Sequence, residues 1–394
     1  MILVIEGKKF KVDVLNRGEL NNSLIQQWTD LEQRSVEGNA YLSPHFILPS
    51  IKYLTPNTEV IFVFITYVTG NTSVLTGVGI FEYCRWTKRL PLPHFKAYRT
   101  PHSYLSGLLV DEEFMDLTLS AFFAFFSKFK KYSCGVEFIN RTEDTRLAKR
   151  FQIAASRERV VFHEYYSKQR AILLPQKLNS DYLQGVLSKK IKKTLRYNHN
   201  ILSKSGEIRW NVLTGQQIVT SCVDRFLNLE HMGWKGEEGT SLLSNSNEEA
   251  FFREMISGFA QNGRAFFTEL AVNGQVIAST VNLISSKIGY AFKIGWDTGF
   301  AQASPGILNE VEFIKNAAEL FPHLEYIDSG AEEGSFIEKL WLDRYPLVSG
   351  FYATNALTKW VLTGIDYARR VKCRLNLSKN EISKRKHPRG VNIC

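Results

Sequence analysis

The sequence predicts a duplicated α/β protein, and three observations carry that reading. A β-hairpin, a further strand region, a helix and a strand follow one another in residues 59–139, and the same order returns in residues 266–328. Each hairpin turns on a polar Gly/Asn segment between apolar, β-branched runs. The chain has 394 residues, and at about 100–200 residues per domain that is enough for two such units. The two copies share little sequence, so order and spacing define the repeat rather than identity.

Taken in order, MILVIEGKKFKVDVL alternates apolar and polar residues and reads as strands. A helix is expected over 20–37. EVIFVFITYVT (59–69), the turn 70–73 and VLTGVGIFEY (74–83) form the first hairpin. Residues 90–101 are Pro-rich and read as a loop. A helix with an aromatic face is expected over 111–131, a strand over 133–139 and a short helix over 144–151. The second unit opens with a helix over 181–204 capped by Ser180 or Asp181, then a strand at 208–214 and helices at 216–232 and 247–262. Its hairpin, 266–272 and 275–285, turns on Asn273-Gly274. A strand at 287–296, a helix at 306–320 and a strand at 324–328 complete it. Residues 379–394 are polar and basic and read as a flexible tail. The expected division is therefore 1–175, 176–378 and the tail 379–394.

Composition narrows the function classes. The five cysteines, Cys84, Cys134, Cys222, Cys373 and Cys394, are scattered and contain no CxxC. This argues against a disulfide framework and a structural zinc, and no metal is expected. The N-terminus lacks the apolar run and cleavage site of a signal peptide. LTLSAFFAFFS (117–127) is too short for a bilayer span of about 20 residues, so a cytoplasmic protein without an integral span is expected. Phe122, Phe123, Phe125 and Phe126 in that stretch read as helix core rather than a membrane handle. The net charge of +10 is unevenly placed: 187–209 contributes +6 and 369–394 contributes +8, so the remainder is net negative. Two basic segments on a mildly acidic body suit phosphates, an anionic membrane surface or nucleic acid such as tRNA.

One stretch carries chemistry. TGFAQASPGILNEVEFIKNAAEL leads into a helix with Pro305 in its first turn and Gly306 open to a close-lying ligand. A helix N-terminus there can hold a pyrophosphate. Together, Val281-Asn282-Leu283, YAFKIGWD, SPGILNEVEFI and YIDSGAEE resemble the acetyltransferase-like family associated with cellulose and exopolysaccharide biosynthesis, a branch of the GNAT superfamily. LSKKIKKTLRYNHNILSKSGEIRWNVLTG and LNLEHMGWKGEEGT resemble that family's basic helix and its Trp-Lys-Gly element. The resemblance covers about residues 181–352, and the N-terminal half by layout.

The resemblance implies a tandem GNAT-like fold, with mixed, mostly antiparallel sheets flanked by helices, and an N-acyltransferase. Acyl-CoA would be co-substrate rather than a bound cofactor, lying between splayed strands 287–296 and 324–328. Its pyrophosphate would meet the turn Ala303, Ser304, Pro305, Gly306, Ile307 and Leu308, with Lys293, a cation on an otherwise apolar strand, close by. An amine on a sugar, lipid or peptide-like precursor would attack the thioester directly, which needs a base, oxyanion donors and a proton for the thiolate. Base candidates are Asp328, Glu332, Glu333 and Glu230. His231, Trp234 and Lys235, where a helix ends at Gly233, are candidates for substrate contact. So is Lys339, in the segment Phe336 to Trp341 that replaces the family's Tyr-Lys. Each also has a plain structural reading: Asp328 as a cap of the turn Ser329-Gly330, Glu332 and Glu333 as solvated loop carboxylates, Trp234 as core. Tyr290 and Tyr326 are thiolate-acid candidates that read more simply as buried sheet tyrosines. Where GNAT phosphate loops commonly carry two small residues after Gln/Arg-x-x, this chain has Gln302-Ala-Ser-Pro-Gly. That departure leaves open two other readings: a Fem-type aminoacyltransferase using aminoacyl-tRNA, and a degenerate GNAT pair that binds without catalysis.

Overall fold

The computed structural model describes residues 1–129, 134–179 and 181–368, so Ser180 and the tail 379–394 lie outside the described residues. The first half runs β1 (Ile2–Ile5), β2 (Lys8–Leu15), α1 (Asn22–Gln33), α2 (Pro44–Pro49), β3 (Val60–Thr69) and β4 (Thr72–Cys84). It continues through β5 (His94–Ala97), β6 (Leu109–Val110), α3 (Met115–Lys128), β7 (Gly135–Thr142), α4 (Arg146–Arg157) and β8 (Val161–Leu173). The second half runs α5 (Tyr182–Val186), α6 (Lys189–Ser205), β9 (Ile208–Thr214), α7 (Thr220–His231), α8 (Trp234–Glu237) and α9 (Ser246–Gln261). It ends with β10 (Ala265–Val272), β11 (Gln275–Ser285), β12 (Ile288–Trp296), α10 (Pro305–Leu320), β13 (Tyr326–Asp328) and β14 (Asp343–Ala353).

One mostly antiparallel sheet joins both halves in the order β1-β2-β3-β4-β5-β7-β14-β8-β13-β12-β11-β10-β9, with β6 paired to β4. The duplication is visible in it. β3-β4-β5-α3-β7 and β10-β11-β12-α10-β13 follow the same path, and each ends on a parallel pair, β5 with β7 and β12 with β13. The halves are also interleaved. β14, from the end of the chain, lies between β7 and β8, and β8 closes on β13. β8 and β14 carry no local signal in the sequence, and β5 lies within the Pro-rich run 90–101 expected as loop. The sequence predicts one helix across 181–204. The structure breaks that helix at Leu187, which is extended, and Ser188 restarts it by accepting the Ile191 N–H at 3.3 Å.

The hairpin turns obey their chemistry. Asn273 (φ 49°) and Gly274 (φ 80°) both adopt left-handed backbone, as a two-residue turn matched to strand twist requires. The four phenylalanines of α3 are buried in the core between the first half's sheet and α4. The second half's sheet is covered on one face by α7 and α9 and on the other by α10. The halves meet in a buried ion pair, Arg264 Nη1 to Glu32 Oε2 at 2.7 Å. Ser285 donates to the other Glu32 oxygen at 2.7 Å, and Tyr290 donates to the Gly38 carbonyl at 2.6 Å. No helix among the described residues is long and apolar enough to cross a membrane.

Candidate active site

The site begins where strand pairing stops. β12 and β13 pair in parallel only from Ile288↔Tyr326 to Tyr290↔Asp328. Beyond that, β12 runs on to Trp296 while the other strand turns away at Ser329-Gly330. Gly330 (φ 64°) is required here, because a Cβ would meet the Ala291 carbonyl at 2.5 Å and the Tyr104 ring at 2.8 Å. At the same point β12 is bulged: Asn282 pairs with Ala291 and Val281 with Lys293, so Phe292 is the extra residue. The result is a gap in the sheet whose edge is a bulged, unpaired stretch of β12.

On the α10 face the gap opens into a cavity of about 280 Å³. Ala291, Ile294, Gly306, Ile307, Ser329, Phe336, Leu340 and Trp341 are among its mostly apolar walls, and Lys293 touches it. Gly306 brings the first turn of α10 against β12, 3.1 Å from Ile294 Cδ1 to where a Cβ would stand. Ser304 enters the helix in left-handed backbone (φ 49°, ψ 59°), and Pro305 follows at the first helical position. The Ser304 carbonyl accepts from the Ile307 and Leu308 amides at 3.0 and 3.2 Å. Among the described residues, Gly306 is left as the amide of that turn without an acceptor. Ala303 and Leu308 pack into the core beneath it.

Glu310 also lines the cavity and went unnoticed in the sequence. It is buried, and its Oε1 accepts from Trp341 Nε1 at 3.0 Å. Burial pushes its carboxyl up to about 7, and the indole hydrogen bond pulls the other way. Nothing but its position one turn inside α10 marked it.

On the other face, residues of the first half reach the gap. Tyr104 donates to the Phe292 carbonyl at 3.0 Å, on the bulge itself, and burial raises its hydroxyl to about 12. His102 stacks on Phe251, lies 6.4 Å from the Phe292 ring and meets Glu248 at 3.1 Å through Nε2. Burial lowers the His102 pKa, outweighing Glu248. Both side chains come from the stretch 98–110. That stretch also fills the equivalent gap of the first half, where the Ser106 hydroxyl bonds the Ile139 carbonyl and amide at 2.7 and 2.9 Å.

The candidates from sequence fall into three groups. Lys293, half-buried on this face, lies 5.6 Å from the Phe292 ring, and burial with the neighbouring Lys235 lowers its pKa to about 8. Glu230 is buried beside it, accepting from Lys235 Nζ at 3.1 Å and from the Leu242 amide at 2.9 Å. His231 is exposed and bonds Ser241 at 2.7 Å, and the side chain of Trp234 lies outside the described residues. The second group surrounds Asp328, which is fully buried. It accepts from the Tyr345 hydroxyl, from the Gly330 amide at 2.6 Å and from Arg170 Nη1 at 3.5 Å, so it caps the turn and balances a buried arginine. Glu332 reaches back to the buried Lys168 at 2.5 Å; partial burial opposes its ionisation, but Lys168 and Arg170 hold its pKa below the usual value. The third group stands apart. Glu333 is exposed, and Lys339 lies 5.2 Å over the Phe336 ring at the cavity rim. Tyr290, held by Gly38, and Tyr326 are sheet tyrosines whose hydroxyls burial raises well above the usual range.

With this geometry, residues 189–336 match the acetyltransferase (GNAT) domain family. Over that stretch the second half is similar to a GNAT acetyltransferase domain. Solved structures extend the likeness to the whole chain as a fold. FemX superposes with a TM-score of 0.55 at 10% identity, covering 89% of this chain and 99% of that one. A conserved protein of unknown function from Bacteroides thetaiotaomicron gives 0.50 at 15%, covering 86% and 100%. The C-terminal domain of a protein described as a lysylphosphatidylglycerol synthetase from Agrobacterium fabrum gives 0.52 at 12%, covering 87% and 95%. No curated protein matches the chain. The gap between β12 and β13 lies inside the stretch that is similar to the GNAT domain family.

Proposed function

We propose that the protein transfers an acyl group from acyl-CoA to an amine of a sugar, lipid or peptide-like precursor. The observation that carries this is the gap between β12 and β13, with an apolar cavity on one face and titratable groups on the other. A thioester arm suits the apolar side, and the Gly306 amide at the helix N-terminus suits a phosphate. The edge of β12 beyond Tyr290, which β13 leaves unpaired, would offer backbone N–H to the thioester carbonyl, where charge develops during attack, while Tyr104 occupies the Phe292 carbonyl. From the opposite face an amine would approach His102. With its pKa lowered by burial, His102 is neutral near pH 7 and competent to take the amine's proton, while Glu248 orients it. Glu230 with Lys235, and Asp328 with Arg170, then act as positioning pairs around the gap. Lys293 lines the approach of the acceptor.

In this reading residues 1–175 form the non-catalytic copy and 176–378 the catalytic one. Two features support it: the first half fills its own gap with the stretch 98–110, and α3 starts from Phe114 without a glycine turn. Calorimetric titration with acetyl-CoA and longer acyl-CoAs is the test. Saturable binding that competes with free CoA supports the reading, and no heat of binding from any acyl-CoA would falsify it.

A further inference from the structure

We propose that the helix after β14, together with the loop after β4, docks the protein on an anionic lipid bilayer. The surface shares no residue with the gap in the sheet, and the inference stands whether or not acyl-CoA is the donor.

The first observation is a helix face left apolar in water. Residues 356–368 are helical, and Asn355 caps them by accepting from the Thr358 amide at 2.9 Å. Thr358 and Leu362 are buried, and Leu362 joins Leu90, Phe351 and Ala353 in a small core. The outward positions lie three and four apart, at Leu357, Trp360, Gly364 and Tyr367. Leu357, Trp360 and Tyr367 are 59%, 78% and 71% exposed. The two rings alone leave roughly 300 Å² in water. The charged residues of this helix stand off that face. Lys359 donates to the Arg159 carbonyl at 2.6 Å, and Asp366 lies 3.5 Å from His163. A helix that is apolar on both sides calls for a cover on both.

The second observation is the charge that accompanies the face. The loop 85–93 packs on the same small core through Leu90 and Leu92, and the Thr87 amide closes its turn on the Leu90 carbonyl at 2.8 Å. That loop holds Trp86, 69% exposed, with exposed Arg85, Lys88 and Arg89 and no carboxylate. Arg89 lies 4.6 Å over the ring of Tyr165, which packs on the core. The sequence that continues from the helix, 369–394, has nine basic residues and one acidic. Tryptophan and tyrosine accompanied by lysine and arginine suit the boundary between lipid and water. Anionic headgroups attract the cations, and the acyl boundary takes the rings. The same charge argues against a second copy as the cover, because two such surfaces would bring like charges together.

The test is co-sedimentation of the full chain with vesicles of phosphatidylcholine, with and without phosphatidylglycerol, at low and high salt. The wild type should bind the anionic vesicles, bind phosphatidylcholine alone at least about tenfold more weakly, and be released as salt rises. The double variants Trp360→Ser/Tyr367→Ser and Arg85→Gln/Lys88→Gln should each lose about tenfold or more in affinity for the anionic vesicles. All four side chains are exposed, so thermal melts of the variants should match the wild type. A wild type that does not bind anionic vesicles overturns the proposal. Equal binding by the wild type and Trp360→Ser/Tyr367→Ser also overturns it, and gives the attraction to the basic sequence 369–394 alone. A concentration-dependent dimer in sedimentation velocity that Trp360→Ser/Tyr367→Ser abolishes, with no vesicle binding, overturns it and gives the face to a second copy.

Discussion

Glu310 offers a sharp test of the cavity, because its environment is specific and a single atom change alters it. Glu310→Gln keeps an oxygen to accept from Trp341 Nε1 but cannot ionise. In the folded protein burial raises the carboxyl from 4.5 to about 7. The folded state therefore binds the proton more tightly than the unfolded chain. The stability this contributes is fully present below pH 4.5 and is lost as pH rises through 7. At 1.36 kcal/mol per unit, the full shift corresponds to about 3 kcal/mol, an upper bound because the cavity admits water. Urea unfolding of both proteins at about pH 5, 6, 7 and 8 measures it. The wild type should lose stability relative to Glu310→Gln across that range, by up to about 3 kcal/mol. Glu32 and Glu37, whose pKa values are also raised by burial, titrate in both proteins, which is why the difference is the quantity to read. Parallel pH profiles for the two proteins would show that Glu310 is solvated and that burial does not raise its carboxyl. An acyl donor that fills the cavity should in turn bind more tightly as pH falls through 7, and that dependence should vanish in Glu310→Gln.

Other substitutions separate the roles around the gap. His102→Ala should lower kcat by about 10²-fold or more with smaller change in acyl-CoA affinity, and steady-state kinetics would expose a donor-binding role as a rise in KM instead. In the wild type the acidic limb of the rate profile should fall below the ordinary histidine range, since the His102 pKa is lowered by burial. Gly306→Glu places a carboxylate in the first turn of α10 against Ile294 and should cost at least about tenfold in acyl-CoA affinity; unchanged calorimetric affinity would move the donor elsewhere. Asp328→Asn leaves Arg170 buried without its carboxylate and should destabilise the fold by about 3 kcal/mol or more, measurable by urea denaturation. A stable Asp328→Asn protein with lost activity would instead make Asp328 part of the chemistry.

Much of this arrangement was legible in the sequence because local rules produced it. Asn273-Gly274 between alternating runs specified a hairpin, and Pro305-Gly306 specified the start of α10, because few other residues suit those backbone angles. The phenylalanines of α3 declared a buried helix by their density. The missing pieces depend on partners distant in sequence. β8 alternates poorly because Lys168 and Arg170 point inward, which is intelligible only once Asp328 and Glu332 stand opposite. β14 carries Pro346 within the sheet interior and a bulge near Gly350, both signals that argue against a central strand. The site shares this limit. Lys293, Gly306 and Ile307 could be found from one segment, whereas His102 and Tyr104 act on β12 from nearly 200 positions upstream. Their contribution depends on the stretch 98–110 filling the first half's own gap.

The central claim is that the donor lies in the gap between β12 and β13. Hydrogen–deuterium exchange with and without saturating acyl-CoA tests it most directly, because the unpaired edge of β12 and the turn after β13 should exchange readily when empty. Donor binding should slow exchange at residues 291–296, 304–308 and 329–331, while the stretch 135–142 of the first half stays unchanged. Tight acyl-CoA binding that leaves 291–296 and 329–331 unprotected would contradict the account.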